Sequence, residues 1–124
     1  MNRFLVIDAD RVGVQRLGLA CLAQGVGVAL AENLCEGVRL LLNEPVTLIV
    51  VDASLLRLGA REHATLFERV APGVPVVVLA GPATPLESRV ALELAGFRVL
   101  GRPVAVDDLV KAAAGPTGVL RGER

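Results

Sequence analysis

Apolar runs of strand length alternate with stretches of helical period along nearly the whole chain. Strand-like runs fall at residues 4–7, 26–30, 47–51, 76–79 and 97–100. The third and fourth are continuous and β-branched, as central parallel strands covered on both faces should be. The second and fifth are interrupted by Gly27 and Arg98, which suits sheet edges. Between them, Val14/Leu17/Cys21 mark a core-facing stripe on a helix from about 11 to 24. Leu34/Val38/Leu41/Leu42 mark a second helix, with Asn33 as its N-cap. His63/Phe67/Val70 and Leu86/Val90/Leu94 mark the third and fourth. Val106/Leu109/Val110/Ala113 mark a fifth, whose first turn carries Asp107 and Asp108, where the helix dipole favours negative charge. Pro45, Gly73-Val74-Pro75, Gly81-Pro82 and Gly96 punctuate the joins.

Five β–α units predict one parallel sheet with helices on both faces. With the second and fifth strands at the edges, the simplest order is 2-1-3-4-5, an α/β, flavodoxin-like, doubly wound sheet in three layers. Right-handed crossovers then place the first and fifth helices on one face and the middle three on the other. Residues 1–114 form the expected domain, and residues 115–124, which lack any pattern, a flexible tail or the start of a linker. Ligands of such sheets bind at the carboxyl ends of the strands, at the switch point between the first and third.

Thirteen basic and thirteen acidic residues cancel, so no global charge draws the chain to nucleic acid or an anionic membrane. Three Phe without Tyr or Trp offer no stacking platform for single-stranded nucleic acid. Mean hydropathy is high, at +0.60. Even so, the longest nearly apolar stretch, residues 17–31, falls short of the ~20 residues that span a bilayer. A cytoplasmic location is expected. Cys21 and Cys35 fall on opposite faces of the expected sheet and read as reduced thiols.

The chemistry gathers at the switch point. The first strand runs into Asp8-Ala9-Asp10 and the third into Asp52, so carboxylates from adjacent strands converge there. Like charges at close range raise each other's pKa unless a cation neutralises them, and Mg²⁺ is the usual hard partner. Arg102, after the fifth strand, has the reach to enter the same crevice. The constellation suits a phosphoryl group. Plainer roles stand beside this one: Asp10 as a helix cap, Asp8 and Asp52 as turn formers, Arg102 as a surface residue. The remaining motifs are bland. Gly25-Val26-Gly27 precedes a strand, residues 81–84 lack a phosphate-cradling ending, and the lone His63 lies away from the crevice.

In the order and spacing of Phe4-Leu5-Val6-Ile7-Asp8, Leu48-Ile49-Val50-Val51-Asp52, Pro75-Val76-Val77-Val78-Leu79 and Arg102-Pro103, the chain resembles the receiver domains of two-component response regulators. The resemblance covers residues 3 to about 114. It implies Asp52 as phosphoacceptor for a histidine kinase, with Asp8, Asp10 and Asp52 as the carboxylates available to a weak Mg²⁺ site. It also implies Arg102 as the basic contact to the phosphoryl group, and a cis Arg102–Pro103 peptide.

Three of five key positions depart from the family pattern. Ala9 stands where the second metal-binding acid belongs, and Ala80 where a Ser or Thr hydroxyl belongs. Arg102 replaces a lysine, exchanging a point ammonium for a planar fork. Position 56 carries Leu where a proline is usual, and the loop to Gly59 is one residue short. The expectation is a degenerate, non-enzymatic receiver in phosphorelay signalling, acting as a protein-interaction or dimerisation module with weak or no phosphorylation and weak or no Mg²⁺. Expected partners are signalling proteins, either a histidine kinase or an output protein, and a homodimer is possible. Its output surface would include Arg89, Glu93, Arg98, Val104 and Lys111, and Leu19 and Leu22 suggest a second apolar surface. One alternative is a working phosphoacceptor in which Asp10 stands in for the missing acid. Another, of a different class, is a small ligand-binding domain on the same sheet.

Overall fold

The computed structural model describes residues 2–114, so the expected tail at 115–124 lies outside the described residues. Five strands and five helices alternate: β1 (Arg3–Ile7), α1 (Arg11–Ala23), β2 (Gly27–Ala31), α2 (Leu34–Asn43) and β3 (Leu48–Asp52). A 3₁₀ turn (Ala53–Leu55) precedes α3 (Ala60–Val70), β4 (Val76–Ala80), α4 (Leu86–Leu94), β5 (Arg98–Gly101) and α5 (Val106–Ala114). Every strand begins and ends within one residue of the apolar run that predicts it. The 3₁₀ turn has no counterpart in the pattern.

The sheet is parallel throughout, in the order β2-β1-β3-β4-β5. Strand register carries Ile7 opposite Val51 and Asp52 opposite Leu79, which brings the carboxyl ends of β1, β3 and β4 to one rim. Alternate residues of the central strands feed two cores. Phe4, Val6, Leu48, Val50, Val77 and Leu79 pack against α1 and α5 through Val14, Cys21, Val106 and Leu109. Leu5, Ile7, Ile49, Val51 and Val78 pack against the other three helices through Leu41, Phe67 and Leu92. Phe67 meets Phe97 edge to face, ring centroids 6.1 Å apart. Cys21 is buried and Cys35 exposed, and both are free thiols. Burial pushes the Cys21 thiol up from its ordinary pKa. Among the described residues no helix is long and apolar enough to cross a membrane.

Helix starts follow local chemistry. Asn33 Oδ1 accepts from the Glu36 amide at 2.9 Å, and Glu36 reaches back to the Glu32 amide at 2.8 Å. Gly96, at φ +104°, turns the chain from α4 into β5 in a conformation that side chains disfavour.

The α4 stripe corrects the sequence reading. Leu86, Val90 and Leu94 do share one face, but that face points to solvent, with 74%, 46% and 84% exposure. Leu92 alone of α4 is buried. Periodicity defines a stripe, while the direction it faces is set by how the helix is tethered, here through the Gly81–Pro85 connection. Leu42 is likewise exposed on α2, where Leu41 faces the core.

Two glycines give opposite tests of this packing. A Cβ at Gly37 would lie 2.5 Å from Ile7 Cδ1, whereas one at Gly18 meets nothing within 4 Å. Gly37→Ala is expected to cost roughly 1–3 kcal/mol through overpacking. Gly18→Ala should add about 0.5–1 kcal/mol of helix stability. Urea denaturation of both variants checks the pair.

Candidate functional site

The switch-point rim brings three of the predicted residues into direct contact. Asp8 follows β1 and is buried, with 7% exposure; Asp52 closes β3. Arg102, just past β5, inserts its guanidinium between them. Its Nη2 donates to Asp8 Oδ2 at 2.5 Å and to Asp52 Oδ1 at 2.6 Å. The Arg102–Pro103 peptide is cis, as the resemblance implies. A cleft of about 420 Å³ opens here, its lining including Asp8, Leu79, Arg102 and Pro103.

The remaining carboxylate oxygens are also occupied. Asp8 Oδ1 accepts from the Asp10 amide at 3.0 Å. Asp52 Oδ2 accepts from the Ser54 amide at 3.1 Å and from the Ser54 hydroxyl. Each of the four oxygens therefore has a donor from the chain itself. Partial burial pushes the Asp52 carboxyl up, but the bonds from Ser54 and Arg102 outweigh it and hold it below the usual range. Burial also works against the Arg102 charge, and the bonds to Asp52 and Asp8 more than restore it.

Asp10 lies apart from this contact. Its side chain caps α1, accepting from the Gly13 amide at 3.3 Å. Ala9 and Ala80 stand at the ends of β1 and β4 with no polar side chain to offer. Thr84 closes its own turn, its hydroxyl oxygen accepting from the Gly81 amide at 3.2 Å. Among the described residues no three His, Cys, Asp or Glu side chains form a group able to hold a metal ion. Two of the carboxylates share one guanidinium, and the third acid is engaged on a helix end.

Sequence reasoning missed one participant, Ser54, while His63 lies buried on the α3 stripe where the pattern puts it. Ser54 was legible as a hydroxyl two residues beyond Asp52, the spacing of a side-chain-to-backbone turn. His63 is buried at 1% exposure, and its Nε2 accepts from the Leu58 amide at 2.9 Å, tying the loop after Asp52 to α3. Its Nδ1 is buried without a partner among the described residues.

The fold matches that of known proteins. A response regulator from Burkholderia pseudomallei, solved with a phosphorylated aspartic acid, calcium ion and citrate, has a TM-score of 0.79 at 22% identity, over 99% of this chain and 72% of that one. A CheY-like receiver domain from Methanospirillum hungatei reaches 0.77 at 23% identity, over 100% of this chain and 99% of that one. In sequence, the chain is 30% identical over 108 residues to the transcriptional regulatory protein GlrR of Escherichia coli, covering 87% of this chain and 24% of that protein. It is 28% identical over 111 residues to the acid tolerance regulatory protein ActR of Sinorhizobium medicae, covering 87% and 56%. The chain thus spans about a quarter to about half the length of these relatives. No family model matches it. The resemblance to response-regulator receiver domains is borne out in the fold, which the chain shares with them over its whole described length.

The His63 contact predicts a pH dependence. Burial holds the imidazole below its ordinary pKa, with Glu62 opposing the shift. A folded-state pKa below the unfolded value near ~6.5 means that the neutral form's contribution is present above that pH and lost as pH falls below it. The limiting slope for one such group is about 1.4 kcal/mol per pH unit. The melting temperature should fall between neutral and mildly acidic buffer, and fall less in His63→Gln. Thermal melts of both proteins across that range check it.

Proposed function

We propose that this chain is a receiver-like signalling domain with a degenerate pocket, working as a protein-interaction or dimerisation module of two-component signalling with little or no phosphorylation. What carries the reading is that each of the four oxygens of Asp8 and Asp52 already has a donor from the chain, Arg102 foremost. In the Burkholderia relative an aspartic acid is phosphorylated, and a related receiver domain from Pseudomonas aeruginosa coordinates a magnesium ion in its active-site cleft. Asp52 stands in the corresponding place on this reading, and Mg²⁺ or a phosphoryl donor would compete with Arg102 for its oxygen.

Three further features support the same reading. Ala9 removes a carboxylate from the metal side of the pocket, and Asp10 is occupied as a helix cap. Ala80 offers no hydroxyl by which a phosphoryl oxygen would draw the β4–α4 connection inward. A ligand shifts a two-state equilibrium only by its differential contacts in the two states, and here those contacts are few. The partners are then other signalling proteins, a histidine kinase or an output protein, reached in the cytoplasm without nucleic-acid or membrane contact. The domain binds and positions, and catalyses nothing.

Incubation with acetyl phosphate and Mg²⁺, read by intact mass, tests the proposal. The expected outcome is an unmodified protein, and stoichiometric phosphorylation of Asp52 overturns it. Amide shifts during a Mg²⁺ titration give a second readout. Saturation at physiological magnesium, lost in Asp10→Ala, would favour the working-phosphoacceptor alternative.

A further inference from the structure

Two helices on opposite layers expose apolar faces with complementary charge. On α1, Val12, Leu19 and Leu22 are 62%, 69% and 62% exposed, while Val14, Gly18 and Cys21 face the core. The only charged residues of α1 are Arg11 and Arg16, and no acid lies between residues 11 and 23. Arg11 is paired with Glu32 on the same chain, whereas Arg16, one turn from Val12, makes no ion pair among the described residues.

On α4 the outward stripe of Leu86, Val90 and Leu94 repeats every fourth residue. By helical geometry Glu87 borders it on one side and Glu93 on the other. Neither glutamate makes an ion pair among the described residues. The α1 face is thus apolar and basic, and the α4 face apolar with Glu87 on one border and Glu93, one turn beyond Arg89, on the other. Because α1 packs on one side of the sheet and α4 on the other, a single molecule cannot join its own two faces. Zero net charge leaves no global repulsion between copies.

We infer that the partner of the α1 face is the α4 face of a second copy of this chain. This rests on the interaction-module reading and names one of its partners. The i, i+4 ridge of α4 seats between the side chains of α1, and Arg16 falls against the bordering glutamates, which fixes register more than affinity. Such an interface is heterologous: each copy keeps one α1 face and one α4 face unused, so association grows past the dimer unless a ring closes.

Leu19→Glu places a charge on the α1 face and opposite the acids of α4. Val90→Arg does the converse, opposing Arg16. Both sites are solvent-exposed, so folding should be preserved. Analytical ultracentrifugation over a concentration series is expected to show wild-type mass rising past a dimer, and each variant alone weakened at least ~10-fold. Mixed together, the two variants keep one intact face each and should form a capped one-to-one dimer, which also shows that both are folded. If only one variant loses association while the other remains a dimer, the contact is isologous and the inference fails. A wild-type monomer throughout also overturns it, and leaves the acetyl phosphate experiment on Asp52 untouched.

Discussion

One guanidinium nitrogen shared between Asp8 and Asp52 organises the carboxyl rim of this domain. Parallel pairing of β1 with β3 brings two acids side by side at the switch point, and two carboxylates so placed repel unless a positive charge lies between them. Here the positive charge is covalently attached. It arrives from the far edge of the sheet, along the connection that leaves β5. One cation against two anions leaves an excess negative charge, and the amides of Asp10 and Ser54 and the Ser54 hydroxyl are aimed at the oxygens that Arg102 does not reach. The rim is therefore satisfied from within.

That arrangement explains why the fold could be read from the sequence further than the site could. The runs at 47–51 and 76–79 are apolar on both faces because β3 and β4 are covered by helices on both sides, so their central place was written into their composition. Gly27 and Arg98 marked the edges for the converse reason. The convergence of Asp8 with Asp52 followed from strand order alone. What Arg102 does with them did not, because a planar, five-donor side chain reaches a carboxylate from many starting points and sequence carries no record of its rotamer. The bonds that Ser54 and His63 make depend on the path of the loop after Asp52, so position alone, legible for both, did not give them.

The α4 stripe shows another limit of pattern reading. Leu86, Val90 and Leu94 satisfy the periodicity of a buried face as well as Val106 and Leu109 do, yet one set is exposed and the other enclosed. Period identifies which residues travel together. Nothing in it distinguishes a face turned to the molecule's own core from one turned outward. The acids did carry that information: Glu87 and Glu93 flank the stripe closely enough that burying it against this sheet would have enclosed two charges at considerable cost.

The chemistry of the rim and the character of the surface point in one direction. A diffusible metal ion makes a pocket conditional, since its charge depends on ion concentration and on what else coordinates the ion. On the proposed reading, an arginine anchored at residue 102 supplies that neutralisation from the chain itself, with no ion to wait for. On the same reading, Ala80 brings no hydroxyl to couple Asp52 to the β4–α4 connection, and events at Asp52 leave α4 where it is. On the proposed reading, α4 is left in one arrangement with its apolar stripe outward. A surface held constantly in that state is suited to standing contacts between proteins rather than to a switch between two conformations.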